Sequence, residues 1–154
     1  MKDKSEHVSL GASGKPELRM SRVFDAPKRL VFEAWTKSEY VQRWFTPAPL
    51  TTPACVVDAH VGGVFRVVMR TPDGAEFPMD GKYTEIIPDS RIAWSAEIHD
   101  GLSVQTTVDF TERDGKTTLD VLQVYAFENE ATKGAYEGWT LTLNQLAEHL
   151  RSRT

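Results

Sequence analysis

The sequence predicts an α+β domain: one antiparallel sheet packed against a long C-terminal helix, with two short helices after the first strand. Three observations carry this prediction. Turn chemistry suited to tight hairpins punctuates alternating residues from Ala54 to Phe127. From about Ala131 to Arg151, apolar side chains recur at three- and four-residue spacing, the period of one buried helix face. Two shorter helical patterns, the second closed by prolines, separate the first strand from the sheet region.

In chain order, the segment up to Leu18 mixes Lys, Asp, Ser, Gly and Glu without an apolar period, so residues 1–17 are expected to form a mobile leader ahead of a single domain over 18–154. Ser13, within Gly11-Ala12-Ser13-Gly14, falls in that leader and is discarded as a nucleophile. Leu18 to Phe24 reads as a strand stopped by Asp25-Ala26-Pro27, with the fixed φ of Pro27 suited to a first helical turn. Leu30, Val31, Ala34 and Trp35 then mark one helix face. Ser38 is placed to cap a second helix bearing Tyr40, Val41, Trp44 and Phe45, which Pro47, Pro49 and Pro53 end.

Gly62-Gly63, Pro72-Asp73-Gly74, Pro88-Asp89, Asp100-Gly101 and Asp114-Gly115 supply the turns of the sheet. Between them Phe65, Val67 and Met69 share one strand face and Arg66 and Arg70 the other, as a sheet with one wet face requires. Val104, Val108 and Phe110 alternate likewise with Gln105, Thr107 and Asp109. By the same parity Glu85 follows Gly81 and Tyr83, and Gln123 lies between Val121 and Tyr125, so both polar residues are expected on the inward face. In the last helix Ala135, Trp139, Leu143, Leu146 and Leu150 should face the sheet, leaving Glu137, Gln145 and Glu148 to water.

Composition narrows the function. With 18 Lys and Arg against 22 Asp and Glu, the net charge of -4 argues against a sequence-independent nucleic-acid binder, which needs a basic surface to neutralise phosphates. No segment is long enough to span a bilayer, so neither nucleic acid nor membrane is expected as a partner. A lone Cys55 and the lack of a basic segment leading into an apolar run point to a cytoplasmic location. His7, His60, His99 and His149 show no metal-ligand spacing, and no phosphate-binding, dinucleotide-binding or serine-hydrolase motif occurs. No metal, cofactor or catalytic motif is therefore expected.

The segment Arg22-x-Phe24-Asp25-Ala26-Pro27, continued by Leu30-Val31-Phe32-x-Ala34-Trp35-Thr36, resembles the opening of bacterial homologues of the activator of heat-shock protein 90 ATPase, in the START-like (SRPBCC) superfamily. The resemblance continues through Trp44, Asp58 with Gly62-Gly63-x-Phe65, Asp73-Gly74, Gly81-x-Tyr83-x-Glu85-Ile86-x-Pro88, and Gly138-Trp139 with Leu143 and Leu146. It implies a helix-grip fold, in which a curved antiparallel sheet of about seven strands wraps the C-terminal helix and two short helices close one end. A hydrophobic cavity commonly lies between them. Two positions depart from the family pattern: Trp44-Phe45-Thr46-Pro47 stands where Trp-Trp-Gly-Pro is usual, and His60 stands where an arginine is usual.

The resemblance implies a protein that holds an apolar or amphipathic small molecule, as a monomer or homodimer. Its alternatives are a chaperone-interaction module and a cyclase- or hydrolase-like enzyme using Glu85, Asp58 or His60 as acid or base. The candidate ligand-binding set is the aromatic group Phe32, Trp35, Trp44, Phe45, Phe65, Phe77, Tyr83, Trp94, Tyr125 and Trp139, with Val67, Met69 and Leu143 beside it. Each of these also suits ordinary core packing. Glu85 and Gln123 are the candidate inward polar groups. Asp58 and His60, two residues apart and on one face, are candidates for a polar cavity edge or, alternatively, for a salt bridge at a turn.

Overall fold

The fold is described from a computed structural model covering residues 8–11, 14–98 and 101–153; His7, Ser13 and His99 lie outside the described residues. The chain runs β1 (Val8–Leu10), β2 (Pro16–Phe24), α1 (Lys28–Thr36), α2 (Ser38–Trp44), β3 (Thr51–Val57), β4 (Val64–Arg70), β5 (Glu76–Ile87), β6 (Arg91–Ile98), β7 (Leu102–Arg113), β8 (Lys116–Tyr125) and α3 (Glu130–Arg151). All strands join one antiparallel sheet in the order β1-β2-β8-β7-β6-β5-β4-β3. This is the helix-grip arrangement, with eight strands instead of about seven.

The additional strand corrects the leader expected over residues 1–17. Val8–Leu10 pairs with β2 through Val8↔Leu18 and Leu10↔Pro16, so residues 8–10 and 16–17 belong to the sheet. An edge strand is held by backbone hydrogen bonds and needs no apolar face, so composition carried no sign of it. Leu10 accordingly remains 71% exposed.

Local chemistry at the helix starts also differs from expectation. Pro27 is the residue before α1, in extended conformation, and its carbonyl accepts the N–H groups of Leu30 and Val31 at 3.0 and 3.2 Å. Ser38 is the first residue of α2, and no side chain caps that helix. The serine hydroxyl instead accepts the Val57 N–H at 2.8 Å, fixing the end of β3 against α2.

The core centres on Trp35, which is almost fully buried. Its ring lies 4.7 Å from Trp44, 5.9 Å from Trp94 and 6.1 Å from Trp139, stacked on the last at 19°. Phe65 of β4 stacks on Trp94 of β6 at 4.5 Å, and the Trp44 indole donates to the Ala34 carbonyl at 2.9 Å. One aromatic cluster thus joins both short helices, the sheet centre and α3. Leu143, Leu146 and Leu150 extend the buried face of α3 beyond it, as the periodicity predicts.

At the C-terminal end of α3, His149 is buried beside Tyr40, with ring centroids 5.1 Å apart, and its Nε2 has no hydrogen-bond partner among the described residues. Burial, then the positive charges of Arg153 and Arg43, hold its pKa below the usual histidine range. Unfolding therefore takes up a proton as pH drops. The contribution of neutral His149 to stability is complete above the ordinary histidine pKa of about 6.5, declines as pH falls through it and levels off below the depressed folded value. Urea denaturation at pH 7.5 and 5.5 should show a larger loss for the wild type than for His149→Leu; equal losses would contradict this assignment.

Candidate functional site

Between the sheet and the N-terminal half of α3 lies a cavity of about 350 Å³, within the size range of small-molecule sites. Met69, Phe77, Pro78, Met79, Ile98, Gln123 and Tyr125 line it from the sheet, and Gly134, Ala135, Gly138, Trp139 and Thr142 from α3. Phe45 and Pro47 close it from the segment after α2. No ionisable Asp, Glu, Lys, Arg or His side chain is among the described residues that line it.

Two local features of the sequence create this space. Gly134 and Gly138 are one helical turn apart, and a Cβ built on either would meet nothing within 4 Å, so α3 presents little bulk where the cavity lies. Farther along, Leu143 and Leu146 restore contact with the core. On the sheet side, Pro78 has no N–H to donate to a neighbouring strand, and among the described residues β5 pairs with β6 from Asp80 to Ile87. The first residues of β5 pair with β4 through Met69↔Phe77 and Val68↔Pro78, and Phe77 and Pro78 line the cavity.

The segment after α2 is tied to α3. Thr142 Oγ1 donates to the Phe45 carbonyl at 3.0 Å. Gln145 Nε2 reaches the carbonyls of Trp44 and Thr46 at 2.9 and 2.7 Å, while its Oε1 accepts the Ala48 N–H at 2.9 Å. Gln145, expected on the water side, is instead a half-buried strap, because these loop amides and carbonyls otherwise lack helix or strand partners. Thr46, at the position where glycine is usual, hydrogen-bonds Thr52 at the start of β3 at 2.5 Å.

At the inner end sits Gln123, 7% exposed. Its Oε1 accepts both the Tyr125 hydroxyl at 2.6 Å and the Trp139 indole N–H at 2.8 Å, and its Nε2 donates to Thr106 Oγ1 at 3.0 Å. Burial raises the Tyr125 phenol above its ordinary range, so it remains a neutral donor. These bonds fix the orientation of the amide in a chamber whose other lining polar side chains are the hydroxyls of Tyr125 and Thr142 and the Trp139 indole.

Residues 25–151 match the family model described as Activator of Hsp90 ATPase homolog 1-like protein. The chain belongs to this family. Among solved structures, a protein from Chromobacterium violaceum is similar over 86% of this chain and 95% of its own, at 25% identity and a TM-score of 0.80. A protein from Nitrosomonas europaea matches over 89% of this chain and 95% of its own, at 25% identity and a TM-score of 0.77. The AHSA1 protein from Silicibacter pomeroyi, at 23% identity and a TM-score of 0.79, shares the fold over 90% of this chain and 99% of its own. No curated protein matches the chain.

In this Hsp90 ATPase activator homolog 1-like domain, the cavity brings together six of the residues expected to bind ligand: Phe45, Met69, Phe77, Gln123, Tyr125 and Trp139. Trp35, Trp44, Phe65, Val67, Tyr83, Trp94 and Leu143 are buried core and do not line it, and Phe32 packs on Phe110 at 5.4 Å. Glu85 is displaced by a β-bulge. Tyr83 pairs with Trp94 but Glu85 with Ala93, so Thr84 is an extra residue that reverses the alternation and turns Glu85 outward. There the carboxylate meets Arg91 at 3.4 Å, with 46% of its side chain exposed.

Asp58 and His60 do not edge the cavity either. They form an exposed pair in the β3–β4 turn, with Asp58 Oδ1 2.9 Å from His60 Nδ1. Gly62 there has φ +85°, and a Cβ on Gly63 would fall 2.0 Å from the Asp58 carbonyl, which accounts for the double glycine as turn geometry. Sequence reasoning missed Pro47, Pro78, Met79, Ile98, Gly134, Ala135, Gly138 and Thr142. The glycines carried a readable signal, since two in a predicted helix each cost about 1 kcal/mol relative to alanine and invite a packing or functional reason. Among the described residues no group of three or more His, Cys, Asp and Glu could hold a metal ion, and no helix is long and apolar enough to cross a membrane.

Proposed function

We propose that the protein binds an apolar or amphipathic small molecule in the chamber between the sheet and α3. The observation that carries this reading is the cavity itself: about 350 Å³, walled by aromatic, methionine and proline side chains, with one fixed amide at its inner end. Burying an apolar molecule there removes its surface from water at about 25 cal/mol per Å². The chaperone-interaction alternative rests on the family's name. An acid–base enzyme built on Glu85, Asp58 or His60 has no support from placement, because all three point away from the chamber.

The test is to fill the space. Gly138→Leu puts a side chain into open volume from a position where leucine is also the better helix former by about 0.8–1 kcal/mol. Titration with the neutral fluorophore N-phenyl-1-naphthylamine should give saturable binding to the wild type and at least about tenfold weaker binding to the variant, a difference of about 1.4 kcal/mol. Thermal stability should be equal or higher. Equal affinity for both proteins would place the probe elsewhere and remove the basis of the proposal.

A further inference from the structure

We infer that the ligand's buried polar group is uncharged, a hydroxyl or carbonyl read by Gln123 and Tyr125; this rests on the cavity-binding reading above. Counting donors and acceptors at the inner end leads to it. Gln123 Oε1 already accepts two hydrogen bonds, from Tyr125 and Trp139, which uses both of its lone-pair sites. One Nε2 hydrogen is given to Thr106. The amide has a second Nε2 hydrogen, and the Tyr125 oxygen, whose proton is committed to Gln123, has lone pairs to offer. A ligand hydroxyl fits both by accepting from the amide and donating to the phenol. A carbonyl satisfies the amide alone.

Charge selects against the other common polar heads. With no ionisable side chain of acidic or basic type among the described lining residues, a carboxylate or ammonium at the inner end would lose its hydration without a countercharge. The amide cannot rotate to favour an anion without breaking the bonds from Tyr125 and Trp139, which would leave two buried donors unsatisfied. Glu85, the residue whose alternation pointed to a charged inner end, is paired to Arg91 on the opposite face of the sheet.

Three probes sharing one ring system separate the possibilities: naphthalene, 2-naphthol and 2-naphthoate, titrated at pH 7.5 into wild type and Tyr125→Phe by displacement of N-phenyl-1-naphthylamine. In the wild type, 2-naphthol should bind about 3- to 10-fold more tightly than naphthalene, the worth of one net hydrogen bond, and 2-naphthoate at least about 100-fold more weakly than 2-naphthol. Tyr125→Phe should remove most of the naphthol advantage over naphthalene. Naphthoate binding as tightly as naphthol would overturn the uncharged-ligand inference, and equal affinity for naphthol and naphthalene would overturn the polar-reading role; either result leaves the cavity reading standing. If none of the three displaces the fluorophore and the fluorophore itself does not bind, the cavity reading falls and takes this inference with it. The wild-type ranking decides the matter even if Tyr125→Phe does not fold.

Discussion

Trp35→Ala should destabilise the protein by about 3–5 kcal/mol in urea or thermal unfolding, the range for emptying a large buried aromatic site. Trp35 is 1% exposed and its ring meets Trp44, Phe45, Trp94, Phe110 and Trp139, so its removal opens the junction of both short helices, the sheet and α3. Its indole N–H has no hydrogen-bond partner among the described residues, so the loss is one of packing. Against a total stability of about 5–15 kcal/mol, such a loss brings the fold close to its margin. Phe77→Ala serves as the contrast: Phe77 is 40% exposed at the cavity mouth and should cost less than about 1 kcal/mol. Comparable losses for the two variants would mean that core and cavity wall are not distinct.

Gln123→Leu should cost about 2–5 kcal/mol, although leucine is close to glutamine in bulk and more apolar. The substitution leaves the Tyr125 hydroxyl and the Trp139 N–H buried without their acceptor, and an unsatisfied buried donor costs about 1–3 kcal/mol. Tyr125→Phe removes donor and hydroxyl together while Gln123 keeps its bonds to Trp139 and Thr106, so about 1 kcal/mol is expected. The ordering of the two variants in denaturant unfolding is the informative quantity. A Gln123→Leu loss no larger than that of Tyr125→Phe would show that water reaches these donors and that the inner end is not sealed.

Much of the fold was legible because it rests on local chemistry. Asp114-Gly115 and Pro72-Asp73-Gly74 are turn signals that act within a few residues, and the period of Trp139, Leu143, Leu146 and Leu150 states directly which face of α3 is buried. Strand β1 escaped because pairing of backbone groups with Pro16–Leu18 leaves no imprint on composition. Strict alternation places Glu85 inward for a different reason: counting by twos assumes an unbroken strand, and the bulge at Thr84 carries neither glycine nor proline to mark it. Gln145 likewise took its role from a loop distant in sequence, whose carbonyls needed a donor.

The site was legible only in part, and the division is physical. Aromatic residues such as Trp35, Trp94 and Phe65 report where apolar surface is abundant, which locates the core. A cavity is where matter is missing, and its signature is the small residues around it: Gly134 and Gly138 on α3. Gln123 was found because a polar residue on an apolar face is conspicuous in any alternating strand. The bond that Trp139 donates to it depends on how α3 seats on the sheet and lies beyond sequence spacing.

A crystal structure of the protein pressurised with xenon reads the chamber directly, because xenon enters apolar cavities and has little affinity for filled cores. Xenon density should lie between Met69, Tyr125, Gly138 and Trp139 in the wild type and be lost in Gly138→Leu, with the backbone unchanged in both. A wild-type chamber free of xenon, with Phe77, Met79 and Phe45 collapsed into the space beside Trp139, would leave the protein with no preformed site in which to hold a small molecule and would overturn the binding proposal.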